Sequence, residues 1–391
     1  MLDCALLAEE FPLARDWCYL ASASNGILPE RSRRYLERYF GEHHYLELEP
    51  QYRMFEDLAA VRECAARLFG GAAANWALMP NTSYGLGTIA AAIDWRSGDN
   101  AVLADCEFPA NVTPWQNLAA RGVGLRWLAT GGTRAQAERL LALCDARTRA
   151  IAVSGVQFHN GYAPDLARLA QHCRERGIWL CVDGIQGLGN RDWQLPVLGV
   201  DFLAAGGQKW LCAPRGTGLL YLSDRALAAL REGRLRQATL GWLNTDTWKF
   251  TDLLDYTRPL TQTARRLEVG TYAFHDLICL GHSLALLEAL GLAAVAAHSD
   301  ALRERFLDGL LAQGLQAPQG PYAASCLEDP APRRSQVLSL ACPNPIALWR
   351  QLAARRIAVN PREGGVRIAF HHYTDVEDVD RLLSALAALA G

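Results

Sequence analysis

The stretch IWLCVDGIQGLGNRDWQLPVLGVDFLAAGGQKWLCAPRGTGLLYL, residues 178–222, contains three short apolar runs separated by polar and glycine-rich segments. The runs are IWLCVDG (178–184), DFLAAGG (201–207) and GLLYL (218–222). Runs of this length, bounded by glycine, are typical of strands that are buried on both faces of a sheet. Asp183 lies at the end of the first run and Lys209 follows the second, so two reactive side chains lie where predicted strands end.

The same alternation extends upstream to about residue 76. Four more apolar runs precede the stretch: WALM (76–79), AVLA (101–104), LRWLA (125–129) and AIAVSGV (150–156). Helical patterns lie between several of them, such as APDLARLAQHCRERG, which stops at Gly177. Alternating strands and helices predict an α/β fold with a mostly parallel seven-stranded sheet covered on both faces. Ligands of such sheets bind at the carboxyl ends of the strands.

The pattern changes after about residue 265. A long helical stretch leads to two short strand-like runs, QVLSLAC (336–342) and GVRIAF (365–370), and then to a closing helical pattern, DVEDVDRLLSALAAL (375–389). This α+β pattern predicts a second, smaller domain. We therefore expect a large α/β domain over residues 18–262 and a smaller α+β domain made of residues 1–17 and 263–391.

The composition excludes several classes of protein. Of the 391 residues, 50% are hydrophobic and 20% are charged, with a formal net charge of -2. This balance argues against a nucleic-acid partner, and no run of 18 apolar residues predicts a membrane span. The start, MLDCALLAEEFPLARDW, lacks the basic region of a secretory signal. Eleven cysteines without a CxxC pair favour reduced thiols over disulfides or a zinc site. We expect a cytoplasmic protein without a bound metal.

Lysine is almost absent from the chain. Lys209 and Lys249 are the only two lysines, and arginine supplies the rest of the 39 basic residues. Arginine can replace lysine where only a positive charge is needed, but a guanidinium does not lose its proton to attack a carbonyl. A lone lysine behind two glycines and an apolar run therefore indicates covalent chemistry at its amine.

Three polar features follow predicted strands: the amine of Lys209, the carboxylate of Asp183 and the helix start Asn81-Thr82-Ser83. Taken singly, each has an ordinary explanation, since lysines lie on surfaces, Asp-Gly forms turns and such residues cap helices. Together they match one cofactor, pyridoxal 5'-phosphate (PLP). This cofactor needs an amine for its aldehyde, a carboxylate for its ring nitrogen and an anion site for its phosphate.

The residues from Val182 to Leu222 resemble the core signature of class V aminotransferase-fold enzymes. This group contains cysteine desulfurases, selenocysteine lyases and isopenicillin N epimerase-like proteins. Other blocks of the family are matched in order by NTSYG, EFPANVTPW, SGVQFHNGYAPDL, EVGTYAF and GVRIAFHHYTDVEDVDRLL, so the resemblance spans roughly residues 18 to 388. It implies the PLP-dependent transferase fold of the aspartate aminotransferase-like type I. It also implies a homodimer with the active site at the interface.

The resemblance implies roles for individual residues by motif position. The catalytic pair would be Lys209, as the Schiff-base lysine, and Asp183, as the partner of the pyridinium nitrogen. Further cofactor contacts are implied for Gln186 (phenolic oxygen), Phe108 (ring), Thr82, Ser83 and Gln208 (phosphate), and Thr271 (phosphate of the other subunit). Arg367 in GVRIAF aligns with the arginine that binds the substrate α-carboxylate, for which a bidentate guanidinium is well suited.

Departures from the cysteine desulfurases narrow the reaction. Desulfurases carry a histidine that stacks on the cofactor ring, whereas this chain has Phe108, which transfers no proton. They also place a nucleophilic cysteine before the carboxylate-binding arginine, and RRIAVNPREGGVRIAF has none. The nearest cysteines are Cys326 and Cys342, and Cys342 is more typical of a core residue. A persulfide-forming desulfurase is therefore disfavoured. Gly206 replaces a phosphate-binding serine of some relatives, so another residue must complete that site.

The substrate side is less defined by the sequence. His159 and Asn160 follow a predicted strand and are expected to face the cofactor side, where His159 is either structural or catalytic. Arg362 precedes Arg367 on a predicted loop, where it either binds a second anionic group or lies in solvent. The aromatic segment 239–250 forms either a flap over the site or part of a packed core.

The sequence thus predicts a PLP-dependent enzyme that acts on a small amino acid through an external aldimine and deprotonation of Cα. An aminotransferase-type reaction is the main prediction, because the catalytic cysteine and the stacking histidine are both missing. A C–S or C–Se β-lyase without a catalytic cysteine and an amino-acid epimerase stay open. A nucleotide-dependent oxidoreductase would need GxGxxG after the first strand, and YGLGTIA has only its first two glycines. A non-catalytic binding protein would have no chemical reason to keep the amine.

Overall fold

The computed structural model describes residues 2–41, 48–132, 134–245 and 254–390. Its helices are α1 (Cys4–Glu10), α2 (Leu13–Asp16), α3 (Glu30–Gly41), α4 (Leu48–Phe69), α5 (Thr82–Ala92), α6 (Thr113–Gln116), α7 (Ala137–Leu141), α8 (Leu166–Arg176), α9 (Leu195–Leu198), α10 (Asp224–Arg231), α11 (Phe274–Leu290), α12 (Leu292–Ala312), α13 (Pro345–Ala353) and α14 (Val376–Ala390). Its strands are β1 (Cys18–Tyr19), β2 (Trp76–Met79), β3 (Asn100–Ala104), β4 (Gly124–Leu128), β5 (Thr148–Ser154), β6 (Trp179–Asp183), β7 (Phe202–Gly206), β8 (Gly218–Leu222), β9 (Ala323–Ala324), β10 (Val337–Ala341), β11 (Ile357–Ala358), β12 (Asn360–Arg362) and β13 (Gly365–Ala369).

The large sheet has seven strands in the order β2-β8-β7-β6-β5-β3-β4. The strands from β4 to β7 in this order pair in parallel, while β8 runs antiparallel to both of its neighbours. Alternate residues along a strand belong to two separate apolar clusters. In β6, for example, Leu180 and Val182 belong to one cluster and Cys181 belongs to the other. The sheet is therefore covered on both faces, and the predicted seven-stranded α/β fold is confirmed.

The carboxyl ends of β2, β6 and β7 lie at the same edge of the sheet, because these strands run in the same direction. β6 ends at Asp183 and β7 at Gly206, three residues before Lys209. β2 leads into α5, where Asn81 Oδ1 accepts a hydrogen bond of 2.8 Å from the Tyr84 N–H and caps the helix. All three features that the sequence analysis selected therefore begin at one edge.

A second sheet has four antiparallel strands in the order β12-β13-β10-β9. The N-terminal segment belongs with it, since β1 pairs in parallel with β11 and Ala21 forms a bridge to Ala369. A few residues later the same segment reaches the large sheet, where the Gly26 N–H donates to the Gln208 carbonyl at 2.8 Å. The N-terminal segment therefore connects the two sheets beside Lys209. The domain boundaries at residues 17/18 and 262/263 stay a prediction.

The long helical stretch after residue 273 is two helices. Gly291 separates α11 from α12 with φ of +78°, and the helices meet at 78°. α11 packs against α3 and α4. Among the described residues, no single helix has the length and apolar character to cross a membrane; the bent pair α11–α12 meets that criterion by length and composition only.

Candidate active site

Lys209 lies in a tight loop that two glycines make possible. A Cβ at Gly26 would lie 2.1 Å from the Lys209 carbonyl oxygen, and a Cβ at Gly207 would lie 2.3 Å from Thr217 Oγ1. Both positions therefore need glycine for close approach of the backbone. The Ala213 N–H closes the loop by donating to the Gly207 carbonyl at 2.9 Å. As a result, the loop after β7 is held between the N-terminal segment and β8.

The Lys209 amine has no anionic partner at contact distance. Its Nζ lies 5.8 Å from the centroid of the Phe108 ring and forms neither a hydrogen bond nor an ion pair with the described residues. Burial lowers the pKa of Lys209; Asp183 opposes this effect, and the positive charges of Arg367 and Arg362 add to it. The amine is therefore closer to its neutral, nucleophilic form than the amine of an exposed lysine.

Asp183 is a buried carboxylate with 2% of its surface exposed. Its Oδ1 accepts a hydrogen bond of 3.0 Å from the Ile185 N–H. Burial raises the pKa of Asp183 and Glu107 adds to the rise, whereas the Ile185 hydrogen bond and the Lys209 charge oppose it. A cationic group next to this carboxylate would restore its ionised form. Asp183 therefore has the environment that a protonated ring nitrogen requires.

Glu107 is a second buried carboxylate near Asp183, which the sequence analysis did not select. It accepts hydrogen bonds from the N–H and the hydroxyl of Ser154 and from the amides of Asn111 and Gln157. Burial raises the pKa of Glu107 against these hydrogen bonds. The contacts attach the residue before Phe108 to the end of β5. They thereby fix the backbone from which the half-exposed Phe108 ring extends toward Lys209.

Gln186 joins three segments of the site. Its Nε2 donates to the Ala23 carbonyl at 2.9 Å, and its Oε1 accepts from Trp210 Nε1 at 2.9 Å. Trp210 follows Lys209 directly, so Gln186 connects the end of β6 to the lysine loop and to the N-terminal segment. An amide nitrogen carries two hydrogens, and these contacts use one of those on Nε2.

The predicted phosphate site lies at the N-terminus of α5. Thr82 is buried, and its Oγ1 accepts a hydrogen bond of 2.8 Å from the Gly206 N–H, while Ser83 is exposed. A Cβ at Gly206 would lie 2.4 Å from Gln208 Oε1. The Gln208 side chain therefore occupies the space that a serine side chain at position 206 would fill. Thr82 and Gln208 meet at the positive end of the helix, where backbone N–H groups favour an anion.

Arg367 is a buried cation, 3% exposed. Its Nη1 donates to the Phe158 carbonyl at 2.7 Å and its Nη2 to Ser24 Oγ at 2.5 Å. No carboxylate in the described part of the chain lies within ion-pair distance of this guanidinium. Burial lowers the pKa of Arg367 to about 10, and the charge of Arg362 adds to the effect. A buried charge without a counter-ion is costly, so this position favours an anionic ligand.

The other predicted substrate residues lie in different settings. Arg362 is exposed, and its Nη2 donates to Ser24 Oγ at 3.4 Å, so both arginines share one hydroxyl. His159 is 8% exposed, with Nε2 2.7 Å from a backbone carbonyl, and burial lowers its pKa. Asn160 Oδ1 accepts a backbone N–H at 3.0 Å and so supports the turn that it belongs to. Arg362 therefore lies beside Arg367, whereas His159 and Asn160 contact backbone.

Two further predictions concern the surface of the chain. Thr271 is exposed, and no contact among the described residues joins it to Lys209. Within the aromatic segment 239–250, the Trp242 ring packs edge-on against Phe55 at 6.1 Å, as expected for a core. Residues 246–250, including Lys249, lie outside the described residues, and so does that part of the proposed flap.

These residues fit PLP. Among the residues that the structure describes, Lys209 offers an amine without a hydrogen-bond or ion-pair partner and Arg367 a buried guanidinium without a counter-ion, while Asp183 is a buried carboxylate. Thr82 and Gln208 lie at a helix N-terminus, with Gln208 in the space left by Gly206. An aldehyde, a cationic ring nitrogen and a phosphate in one molecule match the amine, the carboxylate and the helix terminus.

Comparisons with known proteins identify the family of the chain. The family profile Aminotransferase class-V matches residues 27–382. A probable cysteine desulfurase of Pseudomonas aeruginosa is 30% identical over 94% of this chain and 92% of its own length. The isopenicillin N epimerase of Streptomyces clavuligerus is 28% identical over 95% of this chain and 94% of its own length.

A solved protein, C-DES, shares the fold. The complex of this cystine C–S lyase with its reaction product cysteine persulfide has a TM-score of 0.85, at 23% identity, and covers 97% of this chain and 99% of C-DES. A C-DES mutant with glycine covalently linked to the PLP cofactor has a TM-score of 0.84, also at 23% identity, and covers 97% of this chain and 98% of C-DES. The profile match and the site geometry lead to one conclusion: the chain belongs to the class V aminotransferase family and is a PLP-dependent enzyme.

Proposed function

We propose that this chain catalyses an aminotransferase-type reaction on a small α-amino acid. The observation that carries the proposal is that two basic side chains, Lys209 and Arg367, lie in the same site. Lys209 offers an amine with a lowered pKa, and Arg367 offers a buried guanidinium that has no carboxylate partner in the described ranges of the chain. An amine of this kind can move a proton, and such a guanidinium can bind a substrate carboxylate.

Each residue has a separate task in this proposal. When bound, PLP supplies an aldehyde for amino groups and a ring that accepts electrons from the α-carbon. Asp183 stays ionised against the ring nitrogen and holds its proton there. Arg367 orients the substrate by binding the substrate carboxylate. Lys209 removes the proton from the substrate α-carbon and donates it to another atom of the reacting molecule. Phe108 presents an apolar ring that excludes water and transfers no proton.

The cysteines support this choice of reaction. Burial raises the thiol pKa of Cys326 to about 11 and also raises that of Cys342. Cys212 is 3% exposed, and its Sγ lies 3.6 Å from His371 Nε2. A nucleophilic cysteine needs an accessible thiolate, which these three thiols do not provide. A mechanism that forms an enzyme persulfide is therefore not proposed.

A C–S or C–Se β-lyase is the second candidate. The likeness to C-DES, which is described as a cystine C–S lyase, favours it. Elimination uses the same proton removal by Lys209 and needs no enzyme thiol. Epimerisation is suggested by the Streptomyces relative, but it needs a proton donor on the opposite face of the α-carbon, and Phe108 cannot serve. Membership in the class V family leaves no reason to propose a nucleotide-dependent oxidoreductase.

One experiment separates these reactions. The holoenzyme is incubated with a panel of L-amino acids, with and without an α-keto acid, and the products are quantified by NMR. The proposal predicts one new amino acid and one new keto acid in equal amounts, only when the α-keto acid is present. Release of pyruvate with sulfide or selenide, independent of the keto acid, would establish the β-lyase instead. Loss of optical rotation of the L-amino acid, with no new signal in the NMR spectrum, would establish the epimerase.

We also propose that the enzyme is a cytoplasmic homodimer in which Thr271 reaches the phosphate of the other subunit. Thr271 is exposed, and Leu240, Leu254 and Tyr256 are exposed large apolar side chains in the region that precedes it. Such side chains are typical of a surface that a second copy covers. The eleven free cysteines support a reducing compartment. Sedimentation velocity is expected to give a dimer, and a fully active monomer would contradict the proposal.

A further inference from the structure

A cluster of three metal-ligand side chains lies behind the lysine loop, outside the site described above. Cys212, His371 and His372 each offer one ligand atom, and all three atoms lie within 4.8 Å of one another. Cys212 is three residues after Lys209, and the two histidines follow Phe370 just beyond β13, the strand that carries Arg367. The cluster therefore joins the two segments that supply the main cations of the active site.

The two imidazoles have polar atoms without partners. Cys212, His371 and His372 are 3%, 1% and 4% exposed, so water does not reach them freely. Both ring nitrogens of His372 and the Nδ1 of His371 are buried and form no hydrogen bond with the described part of the chain. A buried polar group without a partner costs about 1–3 kcal/mol, and such groups are rare in native proteins. A metal ion would supply the missing partner to His372.

The distance between the Cys212 sulfur and the His371 ring nitrogen agrees with zinc coordination. Cys212 Sγ and His371 Nε2 are 3.6 Å apart. Tetrahedral Zn²⁺, with Zn–S of about 2.3 Å and Zn–N of about 2.0–2.1 Å, separates a sulfur and a nitrogen ligand by about 3.5 Å.

The surroundings of the cluster are aromatic. The His371 ring stacks between Trp210, at 5.0 Å, and Tyr373, at 4.3 Å, and Phe11 lies 5.2 Å from His372. No carboxylate belongs to the cluster among the described residues. A thiolate with two imidazoles selects a borderline ion such as Zn²⁺ over Mg²⁺ or Ca²⁺, which prefer oxygen ligands.

We propose that Cys212, His371 and His372 form a structural Zn²⁺ site that ties the Lys209 loop to the end of β13. On binding, the Cys212 thiol loses its proton to solvent, one Zn–S and two Zn–N bonds form, one water molecule brought in with the ion keeps the fourth tetrahedral position, and no atom is oxidised or reduced. The histidines contribute His371 Nε2 and one nitrogen of His372. The ion holds the backbone of Lys209 at a fixed position relative to Arg367.

Metal analysis of the purified holoenzyme tests the site. The protein is incubated with excess ZnCl₂, dialysed against metal-free buffer and analysed by inductively coupled plasma mass spectrometry. One equivalent of zinc per chain is expected, with a loss of at least ~10-fold in His372→Phe and Cys212→Ser. His172→Phe, the same change on helix α8, serves as the matched control and is expected to keep the zinc.

Cobalt gives a second readout, which identifies the ligands by absorption in the wild-type protein. Co²⁺-loaded wild-type protein is expected to show tetrahedral d–d absorption and a thiolate-to-metal charge-transfer band, the latter absent in Cys212→Ser. A wild-type protein that retains no stoichiometric zinc would overturn the proposal and leave a thiol–imidazole contact in a packed core. Zinc retained equally in the wild type and both ligand variants would also overturn it. Neither result bears on the PLP site, because the assay does not measure turnover.

Discussion

Two arginine-rich regions lie where the small sheet meets the large one, and they differ in their partners. In the first region, around a cavity of about 440 Å³, Arg333 forms an ion pair with Asp165. Other arginines around this cavity form ion pairs with other carboxylates. In the active site, Arg367 contacts Ser24 and a backbone carbonyl, and it has no carboxylate partner among the described residues. A carboxylate therefore balances the arginine charge in the first region, whereas the arginine charge in the active site is not balanced by a carboxylate of the described residues.

This difference separates structural charge from functional charge. A partly exposed ion pair contributes little net stability, and it leaves no charge for a ligand. A buried guanidinium beside a buried amine is unfavourable in the empty protein, because both groups lose hydration and neither has an anion at contact distance among the described residues. Proteins keep such costly arrangements at functional sites, where a ligand supplies the missing charge. The Arg367–Lys209 region thus depends on its anionic ligands, whereas the Arg333 region does not.

The largest effect is expected at Lys209. Lys209→Ala should lower kcat by about 10³-fold or more, because the amine that moves the proton is lost. Lys209→Arg keeps the charge of the region but not the transferable proton, so it should be as inactive as the alanine variant. Steady-state kinetics would show this. Substantial activity in Lys209→Arg would mean that the region needs only positive charge.

Asp183→Asn is expected to act in opposite directions on activity and on stability. Loss of the carboxylate should lower kcat by about 10²–10³-fold, because the cationic ring nitrogen loses its counter-ion. The folded-state pKa of Asp183 is raised to about 6, mainly by burial, so the folded apoprotein binds more protons than the unfolded chain between about pH 4 and that raised pKa. The wild type therefore loses stability as pH rises through that raised pKa, and the variant does not.

Thermal melts of the two apoproteins between pH 4 and pH 8 check the sign. The Tm of Asp183→Asn should exceed that of the wild type at pH 8, with the difference shrinking toward pH 4. A variant that melts lower than the wild type at pH 8 would show that Asp183 is a stabilising structural residue.

A matched pair of substitutions compares the two arginine regions directly. Arg367→Lys should lower kcat/KM by about 10–100-fold, mainly through KM, because one charged hydrogen bond to the substrate carboxylate is lost. Arg333→Lys removes the same planar geometry from an ion pair with Asp165 and should leave kcat/KM within about 2-fold. Similar losses in both variants would remove the distinction between the regions.

The smallest effect is expected within the paired region. Arg134 forms an ion pair with Asp329, whose side chain is 5% exposed and whose pKa is raised by burial in spite of the arginine. Arg134→Ala should cost about 1–3 kcal/mol of unfolding free energy, because a buried carboxylate loses its partner. Adding Asp329→Asn should recover part of that loss. Urea titrations of the two single variants and the double variant measure this coupling, and an additive result would contradict it.

The cofactor side of the site was predictable from the sequence because its chemistry lies at strand ends. Asp183 follows an apolar run and Lys209 comes three residues after another, so the parallel sheet alone brings them to one edge. The seven strands were predictable for the same reason. The long helical pattern hid a break, because only the backbone shows that Gly291 takes a positive φ.

The substrate side was not predictable beyond the family resemblance, because it depends on contacts between distant segments. Ser24 is 343 residues away from Arg367, and no local pattern marks it. Glu107 was part of a quoted family block, but its four donors come from three separate positions in the fold. Gln208 fills the space left by Gly206, which only the three-dimensional arrangement reveals.

The central claim is that the amine of Lys209 is the one that binds the PLP aldehyde. The chain has only two lysines, so the test has an internal control in Lys249. The holoenzyme is reduced with borohydride, digested and analysed by peptide mass spectrometry. The phosphopyridoxyl group is predicted on the peptide that contains Lys209, at one per chain, with none on Lys249. A label on Lys249, or an unlabelled Lys209 in protein that retains PLP, would contradict the account.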